Sequence, residues 1–180
     1  MKRVPIFFCF HFLFLFVFAA KSQTTVPVQY QQLVNKLIEQ SPVGKPQKME
    51  SPNRLLEFAK SMLGIRYRSA SSSPSRGFDC SGFVNYVFSN FGFKVPRSSR
   101  EFASSGEAKR LEDAKIGDVI LFTGTNSRSR TPGHVGIIYS INGDEVKFIH
   151  SSSGNARGVT ISSLDDGFYK KRFLKVVSIL

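Results

Sequence analysis

The periodicity of the chain changes once. Two stretches in which apolar residues recur at helical spacing come first, and four short runs of β-forming residues follow, separated by Gly, Asn and Asp. Leu55, Leu56, Phe58, Ala59, Met62 and Leu63 make the first stretch, with Ser51 and Pro52 as its start signal and Gly64 as its stop. The second opens at Asp79, a residue type suited to an N-cap, and places Phe83, Val84, Val87, Phe88 and Phe91 on one face before Gly92 ends it. The predicted strands span 119–123, 135–139, 146–150 and 175–179. Helices first and strands afterwards indicate an α+β fold and exclude a doubly wound sheet.

Ahead of this domain lies a different kind of segment. Residues 6–16 are uncharged and nearly all apolar, inside a greasy run from Val4 to Ala20 that follows Lys2 and Arg3. The run is shorter than the ~20 residues of a membrane-spanning helix. Ala20 and Ser22 are small residues at the two positions a signal peptidase reads, so residues 1–22 are expected to be a signal peptide cleaved after Ser22. Cys9 sits within the apolar run, not after it, which argues against a lipoprotein. No stable membrane span is expected once the leader is gone. Residues 23–50 are polar, with Pro27, Pro42, Gly44 and Pro46, and read as a tether with one possible short helix at 28–40. The domain then runs over residues 51–180, without internal repeats.

The leader carries Lys2, Arg3 and Lys21 away, so 22 basic residues face 13 acidic ones in the mature chain, a balance of about +9. Export makes nucleic acid an improbable partner for that charge. Cell-wall polymers and anionic surfaces remain, beside the plainer reading of a solvated basic face. The same processing leaves one cysteine, Cys80, so no internal disulfide is possible.

Cys80 falls in the first turn of the second helix, where unpaired N–H groups and the helix dipole favour thiolate. A nucleophilic cysteine also needs a base, and the mature chain has two histidines, His134 and His150, at the ends of a predicted hairpin. Strand pairing tests whether they can cooperate, because paired residues share a face. A two-residue turn at Asn142-Gly143 sends the two imidazoles to opposite faces. A three-residue loop over 141–143 sets His134 opposite His150 and Gly136 opposite Phe148. A catalytic triad therefore requires that register, or a bulge that restores one face. By position, Cys80 would attack, His134 would carry protons, and His150 would orient His134.

Phe78-Asp79-Cys80-Ser81-Gly82-Phe83-Val84, then Pro96-Arg97-Ser98, Gly117-Asp118, Gly133-His134-Val135-Gly136-Ile137 and Phe148-Ile149-His150 resemble, in order, the motifs of the NlpC/P60 family of cell-wall cysteine peptidases. The resemblance implies a papain-like α+β domain, with the nucleophile helix packed on a central antiparallel sheet. It also implies hydrolysis of peptidoglycan stem peptides or muropeptides, typically at the D-γ-glutamyl-meso-diaminopimelate bond, without metal or cofactor. Carried over by position, Cys80, His134 and His150 correspond to the triad, and Tyr67, Asp79 and Ser81 to residues that shape the substrate subsites. An exported enzyme, periplasmic or secreted, follows from leader and family together.

Each secondary residue also has a structural reading. Asp79 can cap its helix, Tyr67 can pack, Arg97 and Ser98 can form a turn and helix start after Pro96, Asp118 can close a turn, and Gly136 can be small for close packing. The sequence departs from the family at Arg66, Ser69, Ala70 and Phe102, around one wall of the expected groove, which leaves the bond cleaved open. Arg128 and Arg130, just before His134, suit carboxylate recognition or a basic loop. The alternative functions are an amidase on another wall amide and a catalytically silent wall-binding protein.

Overall fold

The computed structural model describes residues 52–180, so the leader, its cleavage position and the possible helix at 28–40 lie outside the described residues. Helix α1 (Pro52–Lys60) starts with a proline, whose fixed φ suits the first helical position, and buries Leu55, Leu56 and Ala59. It ends before Leu63, which is exposed, and Gly64 follows at φ +81°. A two-stranded hairpin, β1 (Ser72–Ser73) and β2 (Gly77–Phe78), leads directly into α2 (Cys80–Asn90). The short helix α3 (Ser99–Phe102) follows, capped by Ser98.

The rest of the domain is one six-stranded antiparallel sheet in the order β3-β8-β4-β5-β6-β7. Its strands are β3 (Glu107–Lys109), β4 (Val119–Thr123), β5 (Pro132–Asn142), β6 (Glu145–Ser151), β7 (Val159–Ser163) and β8 (Phe173–Ser178), with α4 (Gly167–Lys170) between the last two. Three of the predicted strands are longer or displaced by one to three residues, and β4 matches. The sequence reading omitted β3 and β7.

The alternation of side chains along the strands makes two cores. Val119, Leu121, Val135, Ile137, Ile149 and Val177 of the sheet pack with Leu55 and Leu56 of α1, Phe78, and Phe83 and Phe88 of α2. Ile120, Phe122, Ile138, Phe148 and Val176 fill the other face beneath Leu164 and Tyr169. Each fully buried phenylalanine contributes about 2 kcal/mol by leaving water. Central strand β4 is buried along its whole length. The sheet is thereby fixed between two packed layers, and α2 is fixed against β5 and β6.

Candidate active site

Asp79 is the N-cap of α2, with an extended backbone and a side chain that accepts from Gly82 N–H at 2.7 Å. Arg97 donates to both carboxylate oxygens of Asp79, at 2.9 and 2.6 Å, and to Ser81 Oγ at 3.0 Å. Ser71 N–H and Ser81 Oγ–H complete the set at 3.1 and 3.3 Å. Five donors saturate the carboxylate, which has room for about four. The cap reading of Asp79 holds, and the carboxylate has no acceptor to spare for a substrate. The guanidinium holds it in the ionised form: burial works upward, but Arg97 and the Gly82 N–H outweigh it and leave Asp79 below the usual carboxylate range. Ser98 does cap the helix that follows it, but sequence reasoning gave Arg97 only a turn and helix start. The signal for more was its spacing from a capped cysteine helix, which is informative only with the fold in hand.

Cys80 is partly buried at the start of α2. N–H groups of Ser81, Val135 and Cys80 itself favour its thiolate, as a helix terminus should. They do not win. Burial pushes the thiol above its ordinary value and the neighbouring Asp79 carboxylate adds to the push. The thiolate that the helix terminus favours is therefore outweighed in the resting site, because the thiol is buried and the residue that caps the helix also sets a negative charge beside the sulfur.

His134 and His150 share one face of the sheet, but not in the register proposed for a three-residue loop. The turn is Gly143-Asp144, closed by Asn142 opposite Glu145, and a bulge at Tyr139 shifts the ladder so that Ile138 lies opposite Phe148. Continued toward the site, that register sets Gly136 opposite His150 and makes His134 its diagonal neighbour. The bulge does what the odd loop was invoked to do. A Cβ on Gly136 would lie 3.1 Å from His150 Cβ and 2.8 Å from Phe148 Cδ2, so the glycine makes room for the ring. A second irregularity, where Phe122 pairs with His134 but Thr123 with Pro132, leaves Gly133 unpaired just before His134.

His134 Nε2 lies 2.9 Å from His150 Nδ1 with the rings perpendicular. His150 is 0% exposed, and its Nε2 meets Ser162 Oγ at 3.0 Å and Tyr169 Oη at 3.4 Å. Burial keeps both rings neutral: it lowers His134 to about 4, and with the repulsion of His134 holds His150 well below the ordinary imidazole value. Cys80 packs with the core on the α2 side, whereas His134 packs with Phe122 and Tyr169 on the other. The thiol reaches the strand at the Val135 N–H, one residue beyond His134, and no hydrogen bond joins it to the ring among the described residues.

Tyr67 is held between the loop before β7 and strand β2, its N–H on Arg157 O at 2.7 Å and its backbone bridged to Phe78. Burial, followed by the charges of Cys80 and Asp79, raises its hydroxyl, which places the phenol beside both. Ser81 is buried under Arg97. Asp118 makes the structural contacts read for it, accepting from Lys115 N–H and Ser178 Oγ. Arg128 and Arg130 are exposed on the loop before β5. Among the described residues no group of His, Cys, Asp and Glu is arranged to hold a metal ion, and no helix is long and apolar enough to cross a membrane.

Comparison with known proteins agrees with this architecture. The family model described as NlpC/P60 family matches residues 64–178. A murein DD-endopeptidase MepS/murein LD-carboxypeptidase of Escherichia coli K12 is 34% identical over 130 residues, covering 71% of this chain and 63% of the relative. The gamma-DL-glutamyl hydrolase of Bacillus subtilis is 35% identical over 119 residues, covering 66% of this chain and 27% of the relative. The chain thus spans less than two thirds of the length of either. Among solved structures, an NlpC/P60 family protein from Bacillus cereus superposes with a TM-score of 0.65 at 27% identity, covering 73% of this chain and 41% of that one. Motif order, sheet topology and a family match over nearly the whole described domain agree, and the chain belongs to the NlpC/P60 family.

Proposed function

We propose that the protein is an exported cysteine endopeptidase that hydrolyses stem peptides of bacterial peptidoglycan. The observation that carries this reading is a pair of neutral histidines joined at 2.9 Å, with the N–H of Val135, next in the chain to His134, meeting the thiol of a cysteine at a helix N-terminus. Relatives named as murein endopeptidase and glutamyl hydrolase support the substrate class. The net positive charge suits an anionic wall.

Because the thiol is raised and the imidazole lowered, the resting pair is neutral, and His134 acts as a general base during attack. The Cys80 proton moves to His134 as the S–C bond forms at the substrate carbonyl. The oxyanion is held in part by the Cys80 backbone N–H. Collapse breaks the C–N bond, and His134 returns the proton to the leaving amine. Water then gives a proton to His134 and adds to the thioester; the C–S bond breaks and the sulfur regains its proton. Tyr67, Ser81 and the Asp79–Arg97 pair form the adjoining wall, with Arg97 offering a cation to a substrate carboxylate.

The bond we assign is that between D-γ-glutamate and meso-diaminopimelate. A second reading, a DD amide, is favoured by the name of the Escherichia coli relative. Mass analysis of soluble products from peptidoglycan treated with wild type and with Cys80→Ser tests all of this. Fragments from the wild type alone support the cysteine mechanism, and their masses decide the bond. No fragments from either protein, even with free stem peptides, would overturn the endopeptidase reading and favour a wall-binding role.

A further inference from the structure

The two imidazoles share a single proton across the 2.9 Å contact, so only one of them can donate there. His134 Nε2 is committed to His150, which leaves Nδ1 as the ring nitrogen available to the thiol. For His134 to take a proton on Nδ1, its Nε2 must keep one and donate it to His150 Nδ1. The proton of His150 is then on Nε2. That nitrogen belongs to a ring with no solvent exposure and needs an acceptor within the protein.

Ser162 supplies one. It stands on β7, where Phe148 pairs with Ser162 and His150 with Thr160, so it is the diagonal neighbour of His150 on the same face. His134, His150 and Ser162 thus descend diagonally across three adjacent strands, linked at 2.9 and 3.0 Å. Tyr169 Oη, at 3.4 Å, lies beyond the usual range of such bonds. Its ring packs edge-on against His150 and Phe148, with centroids 5.4 and 4.9 Å away, which is the contact of a packing residue.

We infer that Ser162 is a positioning residue of the site: by accepting from His150 Nε2–H it keeps His150 Nδ1 free to accept from His134, and so keeps His134 Nδ1 free to take the Cys80 proton. Without that acceptor the pair favours the opposite tautomer, in which His150 Nδ1–H donates to His134 Nε2 and His134 Nδ1 already carries a proton. The inference rests on the proposed pairing of Cys80 with His134, but not on the substrate.

The test uses Ser162→Thr and Ser162→Val in the full-length protein, side chains of nearly one shape that suit a strand and differ in the hydroxyl. Alkylation of Cys80 by iodoacetamide at neutral pH, followed by mass mapping, reads base assistance, and ring 15N shifts read the tautomers. We expect both histidines to carry Nε2–H in wild type and Ser162→Thr, and alkylation to slow about tenfold in Ser162→Val with His150 shifted to Nδ1–H. Tyr169→Phe should stay within about twofold of wild type. Equal alkylation and equal tautomers in the Thr and Val variants would overturn the inference. So would an Nδ1–H tautomer of His150 in the wild type, a measurement that stands even where a variant fails to fold. His134→Ala is the control for the underlying reading. Unchanged alkylation in that variant removes the Cys80–His134 pair itself, whereas failure to cleave peptidoglycan leaves the Ser162 inference standing.

Discussion

Asp79 works for the helix and against the thiol. Its carboxylate caps α2 and anchors Arg97, and the same charge raises Cys80. Replacement by Asn keeps an acceptor for the Gly82 N–H while removing the charge. In Asp79→Asn the thiol should titrate at lower pH than in wild type, as read by the pH dependence of Cys80 alkylation. Arg97 is partly exposed, so losing its partner should cost only about 1 kcal/mol, measurable by urea unfolding. The histidines make a second residue-level prediction. His134 must be neutral to accept a proton and burial holds it at about 4, so the acid limb of kcat/KM should lie near pH 4 and not near the ordinary imidazole value of 6.5. A limb at 6.5 would mean that the ring is solvated during turnover. His134→Ala should lose about a thousandfold or more in kcat, and His150→Ala roughly ten- to a hundredfold, since the second ring acts through the first.

At the level of the element, the site depends on strand irregularities as much as on side chains. Gly136 lies directly across from His150, and a methyl group there would approach Phe148 Cδ2 at 2.8 Å, Ile149 O at 3.0 Å and His150 Cβ at 3.1 Å. Gly136→Ala should therefore destabilise the domain by about 2 kcal/mol through overpacking and should lower kcat by displacing His150. A lower melting temperature together with reduced turnover is the expected pair of results. Unchanged turnover would mean that the ring tolerates the shift. The features legible in the sequence were those with a local cause. The cap at Asp79, the cysteine in the first turn, the apolar run of β4 and the need for both histidines on one face all follow from residue type and period. The bulge at Tyr139 was not legible, because nothing in Ile138-Tyr139-Ser140 distinguishes a bulged strand from a regular one. Strand β7 was missed because Thr160, Ser162 and Ser163 make it polar, and its pairing with β6 outweighs that composition. Ser162 was missed with it. Arg97 was assigned to a turn because its partner lies eighteen residues away in the chain.

Across the whole molecule, two neutral histidines, His150 buried and His134 half-buried, couple folding to protons. In the unfolded chain each titrates near 6.5; in the fold His134 is held at about 4 and His150 well below its ordinary value. Between those limits the unfolded state binds more protons than the native one, so stability rises with pH there and falls as the solution is acidified. The loss should begin near pH 6.5, with a slope of up to about 2.7 kcal/mol per pH unit while both rings stay neutral in the fold. Asp79 acts in a separate and lower window. Its carboxylate is depressed in the native state, so its contribution is intact above the unfolded value near 3.9 and is lost as pH falls through its lower native value. Acid therefore weakens the fold across the whole window above the pH at which it protonates His134 in the native state. The melting temperature should be nearly flat above pH 7.5 and drop steadily from 6.5 toward 4, and His150→Asn, with no proton to gain, should roughly halve that slope. Initial rates taken before unfolding should persist to lower pH than the melting temperature alone would allow. A melting temperature that is flat from pH 7 to pH 4.5 would show that the imidazoles titrate normally in the folded protein, and would remove the neutral resting pair from the mechanism.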